Sequence, residues 1–173
     1  VAHFNAEKGA DVKVLGWDKA KQNGQFTGNF SDVELGKTTT QAFIEQGADI
    51  ILPVAGPVGA GSLQAASEAD GVSVIWVDAD GFLNPKNDKY KDLILTSVTK
   101  SMALAIFETI KAGVDGAFSP ESYIGTLAND GVGLSSFHDF ESKLPEGLTD
   151  KLDALKKDII DGKIAVTSVS SPQ

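Results

Sequence analysis

The stretch GADIILPVAGPVGAG, Gly47 to Gly61, constrains the fold more than any other part of the chain. Asp49 and Ile50 open a run through Ile51, Leu52, Pro53 and Val54 that is apolar on both faces, as expected for a strand covered by helices on each side. Ala55, Gly56, Pro57, Gly59 and Gly61 then break the strand and lead into a helix. Glycines at the carboxyl end of a strand let backbone N–H groups approach a ligand closely, which is where open α/β sheets place their binding crevices. The same glycines also fit a strand-to-helix turn chosen for its dihedral angles alone, and the loop by itself leaves both readings open.

Strand and helix signals alternate on either side of this unit. VAHFNAEKG reads as the tail of a helix, and Asp11 to Trp17 as the first strand. After the polar connection Asp18 to Gly24, Ser31 or Asp32 is placed to cap a helix running to about Gln46, with Gly47 as its stop. Strand Asp49–Val54 and a helix from about Gly59 through Ala69 follow. Strand Val72–Asp78 ends in an acid, and a turn-rich loop, GFLNPKNDKYKD, leads to strand Leu93–Val98. Met102, Ile106, Phe107 and Ile110 then write an apolar stripe on the next helix. Beyond Gly113 the chain is loop-rich, with a short strand at Tyr123–Leu127 and a polar-glycine string NDGVGL at Asn129–Leu134. Leu148, Leu152, Leu155 and Ile159 mark a final helix closed by Gly162. Ile164–Val169 is a candidate last strand, and Ser170–Gln173 a frayed end. The alternation predicts an α/β fold: a Rossmann-like parallel sheet with helices on both faces. An opening on the end of a helix rather than on a strand implies a piece of a longer protein.

Composition removes several function classes. The formal charge of −9 repels phosphate backbones and anionic lipid headgroups, so nucleic acid is not an expected partner. With no cysteine, thiol catalysis, disulfides and thiolate metal sites are excluded. Neither phosphate-loop pattern, G-x-x-x-x-G-K-[ST] or G-x-G-x-x-G, occurs. No serine sits in a G-x-S-x-G elbow, and the acids lack the spacing of a calcium loop or a zinc motif. No catalytic residue, metal site or cofactor is therefore expected. His3 falls in the N-terminal helix. His138, in SSFHDFES, is within reach of Asp139 or Glu141 and reads as polar surface.

What remains is a set of residues at strand ends: Phe30, the Gly56 turn, Asp78, and Lys100 after the next strand. An aromatic face, a carboxylate and an ammonium together suit a neutral ligand with a flat ring and hydroxyl groups. Each residue also has a plainer explanation: Phe30 in the core, Asp78 as a helix cap, Lys100 as a solvated helix start.

GNFSDVELGK, GADIILPVAGPVGAG, VIWVDAD, LTSVTKS and GTLANDGVGLSSFHDF, in this order, resemble the basic membrane protein family of binding lipoproteins, the purine-nucleoside receptors of ABC importers. The resemblance runs from about Val12 to Ile164. It implies one lobe of a type I periplasmic-binding-protein fold, here the second, C-terminal lobe over residues 1–173, with the first lobe absent. It further implies that the helix at 101–113 belongs with the missing lobe. Carried over position by position, Phe30 resembles the aromatic that stacks on the purine, and Gly56 the glycine whose backbone meets the ribose. Asp78 matches the carboxylate that takes ribose hydroxyls, and Lys100 the lysine beside it. Pro57 and Trp76 depart from the family pattern, which usually has a small residue and glycine there. The implied partners are a nucleoside-like small molecule and an ABC permease. The implied place is the extracytoplasmic face of the membrane or the periplasm, with membrane attachment only through a lipid anchor outside this chain. A ligand-sensing regulatory domain of the same fold and a small α/β enzyme are the alternative functions.

Overall fold

The computed structural model describes residues 1–166 and 168. The chain divides into two compact units, Val1–Val74 and Ile75 onward.

The first unit opens with α1 (Ala2–Lys8), which Gly9 ends in the left-handed conformation at φ 61°. The strand expected over Asp11–Trp17 does not form. Val12, Val14 and Leu15 are all exposed, and an extended segment without a pairing neighbour has no ladder to join. Only a two-residue ribbon is present, β1 (Trp17–Asp18) paired antiparallel with β2 (Asn23–Gly24). Its connection is held by Asp18, whose Oδ1 accepts the N–H groups of Ala20 (2.9 Å) and Lys21 (3.0 Å). The Lys21 N–H above all holds the Asp18 carboxyl below the usual carboxylate range.

α2 (Val33–Ile44) starts at Asp32, whose Oδ1 accepts the Leu35 N–H at 3.0 Å; a cap of this kind is worth about 1 kcal/mol. β3 is only Ile50–Ile51, paired parallel with β4 (Ser73–Asp78) through Ile50 with Ser73 and Ile51 with Val74. The run expected to be covered on both faces is therefore covered on one: Ile51 is buried while Ile50, Leu52 and Val54 are exposed. A single 3-10 turn, Pro57–Gly59, leads into α3 (Ala60–Ser67). Pro57 stands at the first position of that turn, where its fixed φ fits and its missing N–H has no bond to lose.

The core of this unit is the contact of α2 with the 3-10 turn and α3. Val58, Leu63, Ala65 and Ala66 are essentially fully buried. Gly36 and Gly61 let the two helices touch backbone to backbone. A Cβ on Gly61 would lie 2.1 Å from the Val33 carbonyl oxygen, and one on Gly36 2.1 Å from that of Val58. Thr40 and Ser62 close the seam with a buried hydroxyl–hydroxyl bond of 2.8 Å, and the Lys37–Glu68 ion pair at 2.7 Å lies at its margin.

The second unit takes up β4 past Ile75. The turn-rich loop condenses into 3-10 turns over Pro85–Leu93, capped by Asn84, and β5 (Ile94–Lys100) follows. α4 (Met102–Val114) has no buried residue. The strand expected at Tyr123–Leu127 is absent. Asn129 instead ties that stretch into a turn, its Oδ1 accepting from Thr126 N–H (2.7 Å) and Gly131 N–H (3.0 Å). The string read as a loop supplies β6 (Val132–Leu134), antiparallel to β5 with Lys100 opposite Val132. An antiparallel strand thus joins the expected α/β arrangement, because Thr96 and Ser97 bind Ser135 and hold the chain alongside β5. α5 (Leu148–Ile160) ends before Gly162 as expected, and Lys156 reaches Asp130 at 2.9 Å. Ile164 to Val166 are not strand. Thr167, Val169 and the Ser170–Gln173 end lie outside the described residues.

Candidate functional site

The four residues singled out in the sequence fall into two pairs, each formed within one unit. In the first unit the segment GNFSD is shaped from inside. Asn29 Oδ1 accepts the N–H groups of Ser31 (3.1 Å) and Asp32 (2.8 Å), and Thr27 Oγ1 donates to the Asn29 carbonyl (3.0 Å). Phe30 is carried between this turn and the Asp32 cap. Its carbonyl accepts the Val58 N–H at 2.8 Å, which fastens its backbone to the Gly56 turn. The residue is 76% exposed, so Phe30 is not a core residue.

Gly56 has φ −81° and ψ −140°, outside the left-handed region that demands glycine. The three atoms nearest a Cβ there would all belong to Phe30, at an ordinary 3.6–3.8 Å. Internal crowding does not account for glycine at this position. Gly61 is the opposite case: its missing side chain makes room for α2, so the glycines of this loop serve two different ends.

In the second unit Asp78 Oδ1 and Lys100 Nζ form an ion pair of 2.7 Å, with the two side chains 46% and 65% exposed. Lys100 is the last residue of β5, not the start of a helix. Asp78 caps no helix either. It is the central residue of a γ-turn, with the Ala79 N–H donating to the Val77 carbonyl at 2.9 Å and φ at +71°. A non-glycine residue held there costs about 1–3 kcal/mol, whereas an exposed ion pair returns about 0–1 kcal/mol. Stability alone does not explain the arrangement. Strain of this kind collects where a side chain must be aimed.

Sequence reasoning missed His138 and Asp80. His138 is not polar surface: its Nε2 donates to Asp80 Oδ2 at 2.7 Å, and its ring stacks on Phe82 with centroids 4.1 Å apart and planes 6° from parallel. Both side chains of the pair are less than one-fifth exposed, at 17% and 19%. Glu141, a partner expected from sequence, accepts the Phe137 N–H instead. Only the acid two residues beyond Asp78 hinted at the pairing.

Among the described residues no group of three or more His, Cys, Asp or Glu is placed to hold a metal ion. None of the described helices is long and apolar enough to cross a membrane. A shallow depression on α4, lined by Ala105, Ile106, Thr109 and Ile110, contains none of the four residues.

The two motif pairs lie in a segment with known relatives. Residues 18–169 match the family Bmp, described as ABC transporter substrate-binding protein PnrA-like. The chain belongs to that family. Among Bmp relatives, the ABC transporter nucleoside-binding protein BmpA of Lactococcus lactis subsp. cremoris is 35% identical over 157 residues, 83% of this chain and 43% of the relative. Basic membrane protein B of Borreliella afzelii is 32% identical over 124 residues, 68% of this chain and 34% of the relative. The chain thus spans less than half the length of these relatives. The crystal structure of an ABC transporter solute-binding protein from Aeropyrum pernix K1 superposes with a TM-score of 0.72 at 26% identity, over 98% of this chain and 51% of that one. A transcriptional activator of the comK gene from Bacillus halodurans superposes with a TM-score of 0.68 at 15% identity, over 83% of this chain and 47% of that one, and shares the fold alone. The α/β, periplasmic-binding-protein-like fold expected from the sequence is borne out.

Proposed function

We propose that this Bmp-family chain contributes one lobe of a solute-binding protein that captures a purine nucleoside, or a similar ribose-bearing ligand, and presents it to an ABC permease. The observation that carries the reading is the Asp78–Lys100 pair set on a strained turn. A carboxylate accepts hydrogen bonds from ribose hydroxyls and the ammonium donates to their oxygens. Phe30 offers its exposed face to the base, and Gly56 leaves backbone open to the sugar. Binding energy goes into closure of the lobes around it rather than into bond-making, which makes the protein a receptor and not an enzyme. Attachment through a lipid anchor outside this chain, on the extracytoplasmic face, follows from the same reading.

Titration calorimetry of the full-length protein with inosine, adenosine and guanosine tests the proposal; no heat with any of the three retires the nucleoside. Phe30→Ala is expected to weaken binding by about 1–2 kcal/mol through lost stacking. Because the ring is exposed, its melting temperature should stay within a degree or two of the parent, and a large fall would return Phe30 to a structural role.

The helix at 101–113 belongs, in this reading, with the other lobe. Met102, Ile106, Phe107 and Ile110 are 56–62% exposed along one side of α4, an apolar stripe of the kind that marks an interaction surface. Residues 1–173 expressed alone are expected to self-associate through it, and the full-length protein to stay monomeric by light scattering. A monodisperse monomer of the isolated segment would count against this placement.

A further inference from the structure

Asp78 and His138 share an uncommon backbone feature, positive φ without being glycine, at 71° and 45°. A short bridge joins them. Asp80, two residues beyond Asp78, uses Oδ1 to accept the Phe82 N–H at 3.1 Å and Oδ2 to accept from His138 Nε2 at 2.7 Å. Such backbone conformations persist only where the surroundings over-determine them, and those surroundings are visible here. The Gly81 N–H donates to the fully buried Ser97 Oγ (2.9 Å), and its carbonyl accepts from Asn87 Nδ2 (3.0 Å). Trp76 closes the remaining side, since a Cβ on Gly81 would lie 2.5 Å from its Cγ.

The back of the turn is therefore pinned at Gly81. Between that pin and the γ-turn stands Asp80, whose carboxylate needs a partner because it is largely buried. The imidazole supplies it, itself held flat against Phe82. Lys91 Nζ lies 5.4 Å from the Phe82 ring centroid.

We propose that His138 is a positioning residue: through Asp80 it holds the γ-turn that points the Asp78 carboxylate at the hydroxyl groups of the ligand. This rests on the nucleoside reading above. His138 touches no ligand in this account. Without it Asp80 keeps only the Phe82 N–H, its Oδ2 is left unpaired, Ala79 and Asp80 are free to rotate, and Asp78 relaxes toward an extended backbone without that strain.

The full-length protein is titrated calorimetrically with inosine and with 2′,3′-dideoxyinosine, and the ratio of the two affinities is the readout. A residue that merely supports the fold moves both affinities together, whereas a residue that aims Asp78 moves the ratio. In the parent, inosine should bind at least about tenfold more tightly, since the dideoxy ligand forfeits hydrogen bonds to a charged group. His138→Phe keeps the stack and loses the bond to Asp80; it should cut that ratio most of the way to unity. His138→Gln keeps a donor and should retain most of it. Asp78→Ala should abolish the ratio, and His138→Phe added to Asp78→Ala should change it no further. Should His138→Phe not fold, His138→Leu, which likewise has no donor for Asp80, is read in the same way. A parental ratio in His138→Phe beside a lost one in Asp78→Ala overturns the positioning role and leaves the nucleoside reading standing. An intact ratio in Asp78→Ala, or no binding by the parent, overturns both.

Discussion

Asp78→Ala should raise the Kd for a purine nucleoside by one to two orders of magnitude, the equivalent of about 1.5–3 kcal/mol for hydrogen bonds to a charged group. The side chain is half exposed and its one ion-pair partner, Lys100, keeps water as an alternative, so the loss belongs to the ligand and not to the fold. The backbone gives an internal control. At φ +71° alanine is disfavoured while glycine is at ease. Asp78→Gly should therefore unfold at the same or a higher urea concentration than the parent, and still lose the same affinity. Asp78→Asn, which tolerates the left-handed region and keeps the shape but not the charge, should fall between. If Asp78→Gly bound nucleoside as tightly as the parent, the carboxylate would have no part in recognition.

Gly61→Ala should destabilise the protein by about 3 kcal/mol, the upper part of the range for forcing extra volume into a packed interior. The added Cβ would lie 2.1 Å from the Val33 oxygen, 2.4 Å from the Lys37 nitrogen and 2.9 Å from the Gly36 carbonyl carbon. All three are backbone atoms of α2, with no rotamer to change. The helices have to part, and parting them stretches the buried Thr40–Ser62 bond and uncovers Leu63 and Val58. The readout is the midpoint of urea unfolding, with Gly56→Ala alongside as a contrast. The atoms nearest a Cβ on Gly56 belong to Phe30, at van der Waals distance, so Gly56→Ala should lose far less stability than Gly61→Ala while its nucleoside affinity falls. A Gly61→Ala protein of parental stability with weakened binding would mean that Gly61, too, is a ligand-facing position.

The contrast between those two glycines shows where the reading of the chain stopped. GPVGAG announced a turn that opens a helix, and the turn is there. Which glycine served the ligand and which the neighbouring helix was not written in the loop, because the answer for Gly61 is the position of Val33, Gly36 and Lys37. The same holds at Asp11–Trp17 and Asn129–Leu134. Alternating apolar residues made the first look like a strand, yet it found no partner. The second read as a loop, yet β5 was beside it.

Local signals decided a good deal by themselves. The Asp32 cap, the stops at Gly9, Gly47 and Gly162, and the helical periodicities of α2 and α5 act over a turn or two of chain, and the structure follows them. The succession of these elements determined the α/β class, and the strand-end motifs brought Phe30, Gly56, Asp78 and Lys100 forward. Tertiary structure alone decided the positive φ of Asp78 and the pairing of His138 with Asp80, residues 58 apart in the chain. A cap or a periodicity draws its energy from neighbours in sequence, while a strained turn lasts only as long as groups from distant segments hold it.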